Sequence, residues 1–291
     1  MPLDQDFEQE EEDGVGQEMS FIGHLEELRW HVIRAVGSIL VFAIVAYIYI
    51  KEIYRYVILA PAKPDFWTYK MMCKLSEVVG YDDLCIKALD FKIQSIGVGD
   101  QFTMGLTSSI IVGLIFAFPY AFWEIWRFIK PGLKASERKS ARGAVFYVTI
   151  LFFSGVFFGY YVVTPLAINF LANYKLDESI ANEFNISSYI STVATLTLAC
   201  GIAFQLPIVV FVLSRVGVLT PGFMREYRKH AMIVILIVAA IITPSPDIYS
   251  QILVAIPLFM LFEISILVSA KVEREKIREE KRLAKLDGSE L

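Results

Sequence analysis

Two stretches of this chain place acids where an ion could be gripped at a membrane face. The first, His24-Leu-Glu-Glu-Leu-Arg29, stands just before a long apolar run and carries Glu27. The second, Trp126-Arg-Phe-Ile-Lys-Pro-Gly-Leu-Lys-Ala-Ser-Glu-Arg138, is a short basic loop between two apolar runs that keeps one acid, Glu137. Basic loops mark the cytoplasmic side of a membrane protein, so both carboxylates are expected to face one compartment. Acids held within otherwise cationic segments suit the capture of a positively charged peptide. Local pairing, Glu27 with Arg29 and Glu137 with Arg138, is the competing use of the same residues.

Other chemistries find little support. The sequence has no HExxH, Walker A or GxSxG motif, and its three histidines, His24, His31 and His230, fall at membrane edges. Tyr81-Asp82 and Gly97-Val-Gly-Asp100 resemble the paired acids of intramembrane aspartyl proteases, but they lie in a loop and at a span's edge. Asn185-Ile-Ser187 fits a glycosylation sequon, a weak signal. Nothing points to a metal, a cofactor, nucleic acid or an enzymatic reaction. A polytopic secondary transporter of a small solute is the main rival, although span lengths do not repeat between the two halves.

The elements that must position these acids are membrane helices. Of 291 residues 56% are apolar and only 20% are charged, with the apolar ones gathered in long runs. A bilayer core of ~30 Å takes about 20 apolar residues as a helix. The pattern predicts an all-α polytopic membrane protein with six spans, at about 32–50, 102–123, 143–163, 189–213, 231–243 and 248–270. The fifth has 13 residues and ends at Pro244 and Pro246, so it would reach only about 20 Å. Sheltered by neighbours or set in thinned membrane, it would leave a concave groove. A single re-entrant hairpin over 231–268 is the alternative.

Lys and Arg fall 2, 6, 4 and 7 times in residues 1–34, 124–142, 214–230 and 271–291, against 7, 1 and 0 in the other connections. The seven lie in one 50-residue loop, 51–100, nearly balanced by acids. Both termini are therefore expected inside. Residues 1–20 read as a disordered acidic tail, 21–270 as the membrane domain and 271–291 as a charged cytoplasmic tail. The large outside loop is long enough for a small cap and holds Cys73 and Cys85, a plausible disulfide in an oxidising compartment. Within the inner leaflet stand Gln205 and Glu263. An acid costs ~2.5–3.5 kcal/mol at a helix centre, so Glu263 is expected to face protein or water or to be protonated. Gln205 suits an interhelical hydrogen bond.

In order and in register with these spans, the motifs resemble the TatC family, receptor subunits of the twin-arginine protein translocase. The resemblance covers roughly residues 21–270. It rests on His24-Leu-Glu-Glu-Leu-Arg29, Ala60-Pro61, Phe128-Ile-Lys-Pro-Gly-Leu133 with Glu137-Arg138, and Thr164-Pro-Leu166. Thr243-Pro-Ser-Pro-Asp247, Ser250-Gln251, Ile256-Pro257 and Phe262-Glu263 complete it. It implies a receptor in the bacterial cytoplasmic (inner) membrane that binds twin-arginine signal peptides of folded cargo, with export driven by the proton-motive force. Glu27 and Glu137 would meet the two arginines, with Arg29, Phe128, Leu133 and Arg138 in support. TatA-type and possibly TatB-type single-span subunits would dock by the fifth and sixth helices, where Thr243 and Gln251 match polar positions; other copies of the chain and membrane lipid are further expected partners. The family often has Glu where this chain has Gln205, which makes a proton-linked role there doubtful.

Overall fold

The computed structural model describes residues 21–80, 85, 91–129, 143–177, 179, 181–243 and 248–286. Helices dominate. In chain order the α-helices of six residues or more are α1 (Phe21–Ile48), α2 (Trp67–Val79), α3 (Asp100–Ile129), α4 (Ala144–Phe158) and α5 (Thr164–Asn173). They continue with α6 (Ile186–Ala203), α7 (Leu206–Val216), α8 (Pro221–Glu226), α9 (Arg228–Ile242) and α10 (Ile248–Leu286). Among the described residues five helical stretches are long and apolar enough to cross a membrane: Glu26–Ile48, Asp100–Ile129, Val145–Asn173, Ile186–Val216 and Gln251–Arg282. With 15 residues α9 is shorter, about 22 Å along its axis.

Small residues set the closest helix approaches, as expected where lipid removes the hydrophobic drive and dispersion contacts decide. A Cβ on Gly113 of α3 would lie 2.6 Å from the Ala43 backbone nitrogen of α1. A Cβ on Gly159 would meet the Leu196 carbonyl of α6 at 2.9 Å. The apolar centre gathers Val163, Leu196, Cys200, Ala239, Val254 and Leu258 from the third and fourth spans, α9 and α10.

Proline acts differently at each place it enters a span. Pro119 and Pro257 lie inside continuous helices, whereas Pro207 opens α7 after a break at Phe204 and Gln205. Pro fits a first helical turn, where its missing N–H has no partner to lose.

The end of the bundle opposite Glu27 is closed by a cap. Here β1 (Lys92–Gln94) pairs in parallel with β2 (Glu183–Asn185), joining two connections distant in sequence, and Gln94 donates to Glu183 at 2.9 Å. Cys73 on α2 is disulfide-bonded to Cys85. Tyr69, 1% exposed, shares its one hydroxyl proton between the carbonyl oxygens of Pro61 and Pro165, at 2.9 and 3.0 Å. Burial pushes its phenol well above the ordinary tyrosine range. Two prolines from separate motifs of the sequence thus meet on one hydroxyl.

Candidate functional site

At the Glu27 end, α1 and α3 run antiparallel, which brings the start of one beside the finish of the other. Glu124 of α3 is buried, its side chain 2% exposed. Three side chains surround its carboxylate: His31 Nδ1 lies 2.5 Å from Oε2, Arg34 Nε donates to Oε2 at 3.1 Å, and the Tyr120 hydroxyl donates to Oε1 at 3.0 Å. Arg34 Nη2 also lies 3.1 Å from the same His31 nitrogen, so the imidazole stands between the guanidinium and the carboxylate. His31 is itself buried, and its ring packs against Phe128 with centroids 6.2 Å apart.

This cluster orders the sequence motifs around it. Glu27 stands one helical turn before His31, and Phe128 one turn after Glu124, so the His31–Glu124 bond ties two of the sequence motifs at one level. Glu27 is half-buried, and among the described residues it has no ion-pair partner. Arg29 lies over the Trp30 ring at 5.8 Å. Leu133, Glu137 and Arg138 lie outside the described residues, as does Asp247. The loop that carries the first three leaves α3 at Ile129 and re-enters at Gly143, the cap of α4, both at the Glu27 end.

The remaining sequence candidates are scattered over the second half of the chain. The Gln205 amide donates to the Val148 carbonyl of α4 at 3.3 Å, an interhelical bond across the α6–α7 break. Gln205 also lines an apolar hollow of about 840 Å³ between α6, α7, α9 and α10, whose walls include Leu206, Val234, Val238 and Phe262. Glu263 forms a two-pronged pair with Arg228 at the start of α9: Nε donates to Oε1 at 2.5 Å and Nη2 contacts Oε2. Thr243 is buried and donates to Ala239 of its own helix at 3.0 Å. Gln251 donates to the Leu236 carbonyl at 3.0 Å, fastening α10 to α9.

The sequence reading missed Glu124. The signal was present, because a lone acid four residues after Tyr120 and inside an apolar helix ranks as a functional position by default. Ending the second span at 123 moved that acid into the loop, whereas α3 continues to Ile129. His31, assigned to the membrane edge, and Arg34 are its partners from 93 and 90 residues away.

Comparison with known proteins places most of the chain in one family. The family model described as Sec-independent protein translocase protein (TatC) matches residues 23–257. TatC of Blattabacterium sp. subsp. Periplaneta americana (strain BPLAN) is 37% identical over 261 residues, covering 89% of this chain and 98% of its own. TatC of Carboxydothermus hydrogenoformans is 31% identical over 264 residues, covering 91% and 98%. A crystal structure of the twin-arginine translocase receptor TatC in DDM superposes with a TM-score of 0.68 at 29% identity, covering 84% of this chain and 99% of that one. The chain belongs to the TatC family, the receptor component of the Sec-independent twin-arginine protein translocase, and is not an enzyme.

Proposed function

We propose that the Glu27 end is the cytoplasmic face of an inner-membrane receptor and that Glu27 and Glu137 together hold the paired arginines of a signal peptide. The observation that carries this reading is the His31–Glu124 bond. It fixes the turn bearing Glu27 against the helix end from which the Glu137 loop departs. Glu137 is eight residues past Ile129, a reach of at most about 28 Å, so a common site with Glu27 is geometrically open. Two carboxylates against two planar guanidinium forks would favour Arg over Lys.

In this reading both termini face the cytoplasm, α9 is a short fifth span, and the apolar hollow beside Gln205 lies where the membrane is thinned. TatA-type and TatB-type subunits would approach α9 and α10. Gln251 suits such a contact better than Thr243: it is half-buried and commits only its amide donor to Leu236, whereas Thr243 is buried on its own helix. Transport energy would come from the proton-motive force, which is worth about 2.3 kcal/mol per charge per 100 mV.

The test is photocross-linking of a twin-arginine peptide to the full chain in membrane vesicles. Glu137→Lys is expected to abolish the adduct with normal membrane insertion, and Glu27→Ala to weaken it. Undiminished cross-linking in the double variant would overturn the assignment.

A further inference from the structure

Helix α2 has three faces. Tyr69, Ser76 and Thr68 are buried against the cap, and Lys70, Lys74 and Glu77 are exposed. Between those two faces runs an apolar stripe, Trp67, Met71, Leu75 and Val78, at the four- and three-residue spacing of a single helix side. All four are exposed, by 56%, 48%, 53% and 84%, although the opposite face is anchored by Tyr69 and the Cys73–Cys85 bond. A helix this firmly held does not leave its apolar side open for lack of packing partners on the other.

The stripe adjoins one of the membrane-length stretches. The Trp67 ring meets Tyr161 edge-on at 6.0 Å, Phe66 stacks on the same ring at 5.7 Å, and the Thr68 hydroxyl donates to the Tyr161 carbonyl. Tyr161 belongs to the membrane-length stretch Val145–Asn173, and Phe157, one turn earlier and 57% exposed, continues the same surface. Counted from Val145, Tyr161 lies about 24 Å along the axis, and four residues further on Pro165 is already held by Tyr69 of the cap. That is close to the far edge of a ~30 Å hydrocarbon layer. The stripe on α2 therefore extends the lipid-facing surface of a span at the depth where oil gives way to headgroups. Trp favours that depth, and lysines beside an apolar stripe reach lipid phosphates.

We propose that α2 is an interfacial helix, with Trp67, Met71, Leu75 and Val78 seated among phospholipids of the leaflet opposite Glu27 and Lys70 and Lys74 at their phosphates. The inference needs only that the long helices cross a bilayer, and it stands apart from any role of Glu27 or Glu137.

The experiment places the photoreactive residue benzoylphenylalanine at Leu75 or, as a control, at Glu77. The full-length chain is reconstituted in vesicles of phosphatidylethanolamine and phosphatidylglycerol, and adducts are read by mass. Position 75 is expected to gain one phospholipid with a yield several-fold above that of position 77. Equal yields at the two positions would overturn the proposal, as would an adduct at position 75 with a second copy of the chain. The same label at Met71 repeats the test should position 75 disturb assembly, and the same outcomes apply.

Discussion

Glu124 and Glu263 are both acids within membrane-length helices, and they are held in opposite ways. Glu124 is 2% exposed and lies within hydrogen-bond distance of three side chains on two helices. Glu263 is 31% exposed and faces a single arginine that is itself half in the open. The first carboxylate is a keystone between α1 and α3, because removing it strands a buried histidine and part of a guanidinium. The second is a surface clasp between α9 and α10. Water or a visiting charge can compete for it. An acid in a span is thus not one kind of feature, and its partners decide whether it builds or binds.

The comparison is broken most sharply at Glu124. Glu124→Ala is expected to destabilise the protein by about 3–5 kcal/mol, since one member of a buried ionic group is lost; thermal unfolding in detergent measures it. A stability loss under 1 kcal/mol would make the cluster ornamental. Next comes Gly113→Val, which drives a side chain toward the Ala43 backbone on the same helix pair. It should cost about 1–3 kcal/mol or more, and protease resistance of the α1–α3 pair reports it. Glu263→Gln is expected within about 1 kcal/mol of the parent. A large loss there, in the same unfolding assay, would mean the two acids are alike after all. The smallest effect is assigned to Gln205→Ala, which removes one interhelical bond worth about 0.6 kcal/mol and leaves unfolding nearly unmoved.

Legibility in the sequence followed the range of the interactions. The long apolar runs and the shortness of the helix before Pro244 are local, and their positions could be read from period and composition; the break before Pro207 could not, because Pro119 and Pro257 leave their helices continuous. The extent of α3 past Trp123 could not, because Glu124 is tolerated there only through partners on α1. The three-residue strands were equally invisible: Lys92–Gln94 has meaning only opposite Glu183–Asn185. Glu263 was expected to meet protein, water or a proton, and Arg228, 35 residues earlier, meets it. Glu27 and Phe128 were named from motifs, and it is the intervening histidine that explains why they share a level.

Helix α10 has a further consequence. Its 39 residues make a rod of about 58 Å, almost twice the oily layer it would pierce. Near its exit Val272 is 2% exposed and Glu275 is gripped by Arg215 at 2.5 Å. The emergent portion is therefore braced at its foot and behaves as a spar, not a tether: whatever meets its charged flank is held at a set distance from the lipid surface and in a set direction.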